Sequence, residues 1–203
     1  MVAEMQRHSR KIVAVADSLT RRFNLEFGGL DFSLAPFPEE SRSLGAAMQR
    51  LGVPKVGLHG SLAAAAILTE AIQRADFPRA GFSGLMLPVL EDAVLAQRAA
   101  EGTLTIKDLL LYSAVCGSGL DTVPLPGDTT PEQIAALLLD LSALAVRLDK
   151  PLTARLMPIP GKKAGDPTGF DFAFFANSRV MALEAETLQS LFLGSESFEL
   201  KSR

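Results

Sequence analysis

The fold is decided in the stretch from Val115 to Thr130, which reads V-C-G-S-G-L-D-T-V-P-L-P-G-D-T-T. It contains the only cysteine of the chain, Cys116, followed by two closely spaced glycines. The run from Leu120 to Leu125 is extended in character, and its prolines favour an edge strand or a strand end. The stretch therefore joins a helix end, a strand and a helix start, with polar side chains at both junctions.

Helices are predicted on both sides of this stretch. Thr130 is a capping residue, Pro131 occupies the first helical position and Gln133 completes a capping box, so a helix begins here and continues to Leu148. Apolar residues cover so much of its circumference that we expect it to be buried on more than one side. Upstream, Thr105 is expected to cap a helix that ends near Val115.

Apolar spacing, together with glycine and proline boundaries, predicts further short elements in the rest of the chain. The predicted helices are Lys11–Phe23, Ser41–Leu51, Leu62–Arg74, Glu91–Ala100 and Leu183–Phe192, and the predicted extended segments are Leu30–Leu34, Val53–Leu58, Gly81–Leu87 and Leu152–Met157. Short strands that alternate with helices indicate an α/β fold. We expect a single α/β domain over residues 1–181, followed by a C-terminal helix and a loose tail over residues 182–203.

Composition limits the classes of partner. The chain has 203 residues, a net charge of −3 and scattered basic residues, which argues against nucleic-acid binding. No stretch approaches the roughly 18 to 20 apolar residues of a membrane span. A single cysteine excludes an intrachain disulfide, and the absence of an N-terminal apolar segment predicts a cytoplasmic location. The mean hydropathy of +0.23 indicates extra buried surface and favours a partner interface.

Three residues are candidates for catalysis: Cys116, His59 and Asp121. Cys116 is a potential thiolate nucleophile, but it follows a helix C-terminus, the wrong end for stabilising an anion, and this position favours the alternative interpretation, a small buried hydrophobe. His59 precedes the start of a helix, where it is a general base, an anion contact or a loop histidine bonded to backbone. Asp121 is an acid–base candidate, with turn formation as its structural alternative.

Four residues are candidates for binding an anion: Ser61, Thr130, Lys162 and Lys163. Ser61 and Thr130 lie at predicted helix starts, where free N–H groups attract negative charge. Lys162 and Lys163 form a compact positive loop between prolines, and a solvated basic loop is the alternative interpretation. The remaining loop aspartates, Asp31, Asp128 and Asp166, suit Mg²⁺ or Ca²⁺ as a cluster, yet each alone suits a turn or a cap, and the sequence assigns neither a metal nor a cofactor.

Several motifs in order resemble an uncharacterised prokaryotic family whose members are often labelled "PFL family protein". They are C-G-S-G-L-D-T-V-P-L-P-G-D-T-T-P-E from Cys116 and P-L-T-A-R-L-M-P-I-P-G-K-K-A-G-D from Pro151, preceded by D-F-S-L-A-P, H-G-S-L-A-A-A and G-L-M-L-P-V-L-E-D. The resemblance spans roughly Lys11 to Met181 and concerns the C-terminal part of longer proteins. It implies part of an α/β barrel similar to that of pyruvate formate-lyase and other glycyl-radical enzymes, with no assigned biochemical function.

The resemblance also limits the chemistry. The segment Ala176 to Met181 contains no glycine that would carry a radical, so glycyl-radical chemistry does not follow. Cys116 resembles the cysteine that such enzymes carry on a loop inside the barrel. The sequence thus favours a cytoplasmic enzyme, or half of one, acting on a small anionic metabolite. The alternative is a non-catalytic binding or regulatory subunit that completes a barrel with a second chain or as a homo-oligomer.

Overall fold

The computed structural model describes residues 1–194 and 197–202. Its helices are α1 (Val2–Phe23), α2 (Leu44–Arg50), α3 (Ser61–Arg74), α4 (Ala93–Glu101), α5 (Ile106–Ser113) and α6 (Pro131–Arg147), and its strands are β1 (Gly119–Pro126) and β2 (Thr153–Ile159). Short 3₁₀ turns occupy Glu40–Arg42 and Ser190–Leu193. The prediction of a mixed α/β fold is confirmed at this level.

The two strands form a parallel sheet with α6 as the crossover between them. Gly119 pairs with Thr153 at one end and Pro126 pairs with Ile159 at the other. The start of α6 follows the sequence prediction, because Thr130 and Gln133 form a reciprocal capping box and Pro131 begins the helix. The capping box of α5, which Thr105 forms with Asp108, fixes the helix that leads into β1.

Two further extended segments, residues 30–34 and 79–89, continue this arrangement without forming full strands. They meet at isolated parallel bridges, Leu30 with Arg79 and Leu34 with Leu85. The second segment then meets β1: Gly117 donates its N–H to the Leu85 carbonyl at 3.0 Å, and the Val89 N–H donates to the carbonyl of Asp121 at 3.0 Å. Four extended segments therefore lie side by side, in chain order and in one direction, with helices in each connection.

The first half of β1 has the residue 79–89 segment on one side and β2 on the other, whereas Pro124 and Pro126 lie at the end of β1, which is the second of the two predicted alternatives, an edge strand or a strand end. Pro124 fits into β1 because the residue 79–89 segment no longer runs beside the strand at that position. The Pro124 carbonyl accepts the N–H of Met181 at 2.9 Å, on the side that Val89 has already left. In a strand the N–H and C=O of one residue point the same way, so the missing N–H of Pro124 costs no bond to β2.

The hydrophobic core lies between the helices and one face of these extended segments. Residues that are fully or almost fully buried come from every layer: Met48, Leu68, Ile72, Leu85, Leu87, Leu95, Leu109, Leu120, Val123 and Leu125. Small residues of α3, such as Ala64 and Ala65, let its backbone approach the core closely. The helices thus cover one face of the segments and leave the side chains of the opposite face to form other contacts.

Asp92, a fully buried carboxylate, holds two helices together. Its Oδ1 accepts the backbone N–H groups of Val94 and Leu95, both at 2.9 Å, and so caps α4. Its Oδ2 accepts the N–H groups of Leu44 and Gly45 at 2.6 and 3.2 Å, while the Ser43 hydroxyl donates to Oδ1 at 2.6 Å. One side chain therefore satisfies the otherwise unpaired donors at the starts of both α2 and α4.

The outer side of α6 differs from its prediction. Only Leu137 and Leu141 of this helix are buried, whereas the apolar residues Leu138, Leu139 and Val146 are exposed. The expectation of burial on more than one side is wrong for the described chain, because the helix contacts the body of the protein along a single stripe.

The predicted C-terminal helix from Leu183 to Phe192 is also wrong: only the 3₁₀ turn Ser190–Leu193 is helical. Contacts with other elements replace the hydrogen bonds that a helix would make. Lys107 Nζ lies 2.5 Å from a Glu184 carboxylate oxygen, and the Gln133 side chain donates to the Ala185 carbonyl at 2.9 Å. These contacts hold the segment extended across the ends of α5 and α6.

At the other end of the chain, α1 begins at Val2 rather than at Lys11, so the first helix is longer than its apolar pattern indicates. Within residues 1–194 and 197–202, no helix combines the length and the apolar character that crossing a lipid bilayer requires.

We predict that Asp92→Ala lowers the free energy of unfolding by about 3 kcal/mol or more, because it leaves four backbone N–H groups and one hydroxyl without their acceptor. Asp92→Asn, which keeps one acceptor oxygen, is expected to have a smaller effect. Urea denaturation measures both. The control Asp140→Ala, on the exposed side of α6, should change stability by less than about 0.5 kcal/mol, and an equal loss in the control would contradict the capping role.

Candidate functional site

The sheet is irregular at Asp121 and Thr122. The pairing register of β1 with β2 shifts between Leu120 and Val123, and Thr122 has a left-handed backbone with φ of 45°. The Thr122 hydroxyl accepts the N–H of Leu90 at 3.0 Å, which fastens the loop after Val89 to the bulge. A β-branched residue with positive φ is strained, and such strain and such bulges are enriched at functional sites.

The bulge presents Asp121 to Arg155 of β2, which also contacts Glu91. Arg155 Nε donates to Asp121 Oδ1 at 2.5 Å, and its Nη2 lies 2.8 Å from Glu91 Oε1. The hydrogen bond that Arg155 donates to Asp121, together with the charges of both carboxylates, raises the pKa of Arg155, while burial acts in the opposite direction. Asp121 is buried, with 5% of its surface exposed, so the guanidinium is the group that compensates its charge.

This ion-pair cluster, defined as Asp121, Arg155 and Glu91, lies on the sheet face that points away from the core. Arg155 stands between Ala154 and Leu156, whose register partners Leu120 and Val123 are fully buried. Because successive strand residues point to opposite faces, Arg155 projects from the other face, and about half of its side chain (51%) is exposed. The cluster thus combines a buried carboxylate with an accessible cation.

Cys116 and Lys150 lie near the amino end of β1. Cys116 is buried and its N–H donates to the Tyr112 carbonyl at 2.8 Å, as part of the end of α5. Lys150 Nζ donates to the Ser113 carbonyl at 2.9 Å. Burial lowers the pKa of Lys150, while its proximity to Cys116 acts in the opposite direction. A half-buried lysine with a lowered pKa beside a thiol is a candidate reactive group.

Ser118 is the second unusual residue of this end. Its hydroxyl is buried and, within the described residues, has no hydrogen-bond partner, whereas its carbonyl accepts both the N–H and the hydroxyl of Thr153 at 3.0 and 2.7 Å. Buried polar atoms are nearly always paired in folded proteins. The unpaired Ser118 hydroxyl therefore makes the Cys116–Ser118 loop, which connects α5 to β1, a candidate for a functional role.

A neighbouring loop packs against this one through Phe82. The Phe82 ring lies against the backbone of both Gly84 and Gly117, where a side chain would collide with it. Asp31 fixes that loop by accepting the N–H groups of Phe82 and Ser83 at 3.1 and 2.9 Å. The hydrogen bond from Ser33 and these backbone bonds lower the pKa of Asp31 to about 2. Asp31 is therefore a loop-fixing residue.

The residues predicted to bind an anion at helix starts already have structural partners. The Ser61 hydroxyl donates to the Leu58 carbonyl at 2.7 Å and accepts the Gly57 N–H at 3.1 Å, and Gly60 is the actual N-cap of α3. Thr130 is bonded reciprocally to Gln133. His59 is exposed beside α3, and its ring forms no hydrogen bond with any residue of the described chain.

Lys162 and Lys163 lie at the opposite end of β1 from Cys116. The Gly127 N–H donates to the Lys162 carbonyl at 2.9 Å, which places the lysine loop beside the start of α6. β1 has 8 residues, and a rise of about 3.3 Å per residue separates its ends by about 23 Å. The structure thus brings Cys116 and Asp121 to the same half of β1, and Lys162 and Thr130 to the other end, while His59 and Ser61 lie at the start of α3.

Sequence reasoning missed Arg155, Glu91, Lys150 and Ser118. Arg155 carried a usable signal, because a charged residue interrupts the otherwise uncharged run L-T-A-R-L-M. The other three stand in loops or at element ends, where polar residues are ordinary. Among residues 1–194 and 197–202, no group of three or more His, Cys, Asp or Glu side chains is arranged to hold a metal ion.

Comparison with known proteins places the chain among uncharacterised proteins. Residues 1–177 match the family model described as "Uncharacterised ACR (DUF711)". The chain is similar to a "UPF0210 protein" of Pyrobaculum arsenaticum, with 43% identity over 75% of this chain and 35% of that protein. It is also similar to UPF0210 proteins of Methanopyrus kandleri (40% identity, 80% of this chain, 38% of that protein) and Oleidesulfovibrio alaskensis (38% identity, 83% and 39%).

These similarities confirm the prediction of an uncharacterised family. The chain spans 35% to 39% of the length of these three relatives. The pyruvate formate-lyase label, the barrel and the placement in the C-terminal part of longer proteins stay predictions.

We predict that Arg155→Met destabilises the fold by about 2 to 3 kcal/mol, because it leaves the buried Asp121 carboxylate without its cation, a cost moderated by the exposure of Arg155. The double variant Asp121→Asn with Arg155→Met should recover part of this loss. Chemical denaturation of the four proteins of this cycle measures the coupling. Arg74→Met, which breaks the exposed pair with Glu70, is the matched control and should cost less than about 1 kcal/mol.

We predict that Asp31 titrates at about 2 rather than at its ordinary 3.8. Its folded-state pKa is depressed, so its contribution to stability is complete above the unfolded-state pKa and disappears as the pH falls toward 2. The difference in urea midpoint between the native chain and Asp31→Asn should therefore be larger at pH 5 than at pH 2. A difference that does not change between these pH values would show that the carboxylate charge plays no part.

Proposed function

This chain belongs to the DUF711 (UPF0210) family, which has no assigned function, and we propose that it contributes an enzyme site for a small anionic metabolite, centred on Arg155. The proposal is supported by one observation above all: the half-exposed guanidinium of Arg155 is held in place by two carboxylates at the strained bulge of β1. The proposal keeps the substrate class that the sequence favours, moves the anion-binding group from the lysine loop to β2, and involves no glycyl-radical chemistry.

Arg155 suits an anionic oxygen group for geometric reasons. A guanidinium has five N–H donors in a planar fork, and Asp121 and Glu91 engage its Nε and one Nη atom. The remaining donors are available at the exposed side. Because the carboxylates already fix the Arg155 side chain, binding a substrate carboxylate or phosphate costs little further side-chain entropy.

Lys150 and Ser118 supply the candidate reactive groups of the proposal, beside Cys116, which packs in the hydrophobic core. They lie at the amino end of the same strand as Asp121, where burial lowers the pKa of Lys150 and the nearby Cys116 acts in the opposite direction. Asp121 orients Arg155, so its predicted acid–base role becomes a positioning role. His59, Ser61, Thr130, Lys162 and Lys163 stand apart from this cluster and have no part in the proposed site.

The test is ligand-induced thermal stabilisation across a panel of small carboxylates and phosphates. A ligand at 100 times its Kd stabilises by about 2.7 kcal/mol, which corresponds to a shift in Tm of roughly 5 to 10 °C for a chain of this size. We expect Arg155→Lys to abolish such a shift and Lys163→Ala to leave it intact. A shift that survives Arg155→Lys and disappears in Lys163→Ala, or no shift with any ligand, overturns the assignment to Arg155.

A second candidate is a non-catalytic subunit that completes a larger sheet with a partner chain or with itself. β2 has β1 on one side, and no strand among the described residues pairs with its other side. The outer side of α6 exposes Leu138, Leu139 and Val146. Open strand edges and apolar helix faces are both surfaces that natural proteins cover. Light scattering after size exclusion decides against self-association if the chain is a monomer at micromolar concentration.

A further inference from the structure

α1 carries an apolar face that the rest of the described chain does not cover. Ile12, Val15, Leu19 and Phe23 recur at helical spacing and are 47%, 61%, 46% and 55% exposed. Apolar side chains at this spacing form a continuous strip on one side of a helix. A strip of this length on an otherwise polar helix marks an interaction surface.

The helix is attached to the body of the protein mainly through its first half, where Met5 lies at heptad spacing from Ile12 and therefore on the same face as the strip. Met5 and Ser9 are its buried residues, and Val13 faces the loop at Phe77. The second half of α1 projects with most of its surface exposed. The exposed strip is therefore available to another surface while α1 keeps its present attachment.

The charge of α1 is opposite to that of the whole chain. Five basic side chains (Arg7, Arg10, Lys11, Arg21 and Arg22) against two acidic ones (Glu4 and Asp17) give the helix +3, whereas the chain carries −3. Lys11 and Arg22 border the apolar strip along one side of the helix, while Arg10 and Arg21 lie on the other side. The surface that fits this face is apolar at its centre and bears carboxylates at its border.

We propose that this α1 face, defined by Ile12, Val15, Leu19 and Phe23 with Lys11 and Arg22 at its border, docks against an acidic-bordered apolar surface in the polypeptide that UPF0210 proteins carry beyond the segment matched here. The family match begins at residue 1 and so includes α1. The match covers only 35% of the Pyrobaculum arsenaticum relative, which leaves ample polypeptide to form that surface.

Two other occupants fit less well. A second copy of this chain that docked through the same α1 face would bring two basic helices together, which like-charge repulsion disfavours. An anionic membrane would also attract a basic helix with an apolar strip. The family match over residues 1–177 favours the protein surface, because it makes α1 a part of an architecture whose full-length members are much longer than the matched segment.

The experiment compares hydrogen exchange of α1 in two proteins, the isolated chain and the unaltered, full-length Pyrobaculum arsenaticum relative. We expect the amides aligned with residues 12–23 to exchange at least about tenfold more slowly in the relative, after normalisation to the aligned α3 amides, because packing of the strip suppresses local opening. Equal exchange in both proteins overturns the proposal.

A chimera tests the chemistry of the face. Residues 1–177 of this chain, the range that matches the family model, replace the corresponding segment of that relative. Lys11→Glu with Arg22→Glu should lower the Tm of the chimera by about 4 °C or more and leave that of the isolated chain within about 1 °C. The control, Arg10→Glu with Arg21→Glu, makes the same charge change on the other side of α1 and should leave both unchanged. Equal losses in the two double variants overturn the charge argument, and a chimera that does not fold leaves the exchange comparison to decide.

Two further measurements on the isolated chain decide between occupants. Concentration-dependent dimerisation that protects α1 assigns the face to a second copy, and co-sedimentation with vesicles of phosphatidylcholine and phosphatidylserine that Lys11→Glu with Arg22→Glu abolishes assigns it to a membrane. Either result overturns the proposal. The inference is independent of the Arg155 site, because neither α1 double variant touches a residue of that site.

Discussion

The architecture depends on the buried carboxylate of Asp92. Helix starts leave N–H groups without partners, and burying two such starts in one interface is tolerable only if an acceptor is supplied. Asp92 supplies it to α2 and α4 together. By locking α4 to α2, it also fixes the course of the chain at Leu90 and Glu91, the residues that meet the bulge of β1. The capping bonds of Asp92 therefore help to fix the position of Glu91 in the candidate site.

The candidate site exists because the regular ladder is interrupted there. A continuous β1 would give Asp121 and Thr122 ordinary strand geometry, whereas the bulge doubles the residues facing Arg155. Thr122 then holds the incoming loop through its hydroxyl, and Asp121 holds the arginine. Burial of Asp121 makes the ion pair obligatory, and exposure of Arg155 leaves part of its guanidinium free. The ion pair of Asp121 and Arg155 therefore both stabilises the fold and provides guanidinium donors for a ligand.

Much of the local structure was predictable because it depends on neighbours in sequence. The capping boxes at Thr105 and Thr130 are formed by residues three positions apart, and both helix starts follow their predictions. The predicted burial of α6 on more than one side and the predicted helix at Leu183–Phe192 are wrong because both depend on contacts with residues distant in sequence. Periodicity reports which residues are apolar, and what covers them depends on elements distant in sequence, such as Lys107 and Gln133 for the C-terminal segment.

The sequence by itself determined the α/β class, the uncharacterised family, most helix boundaries and the importance of Val115 to Thr130. It also predicted Cys116 and Asp121 as candidate site residues, because a lone cysteine and an aspartate beside closely spaced glycines are visible without a fold. Only the tertiary structure decided that Lys162 and Thr130 lie at the far end of β1, that Ser61 is occupied by backbone groups, and that Arg155 compensates Asp121. The first and third relations join residues 35 and 34 positions apart, Lys162 with Gly127 and Arg155 with Asp121, and strand pairing and crossover geometry bring such residues together. The Ser61 bonds to Gly57 and Leu58 are local, but they depend on the turn geometry before α3, which the sequence pattern alone does not specify.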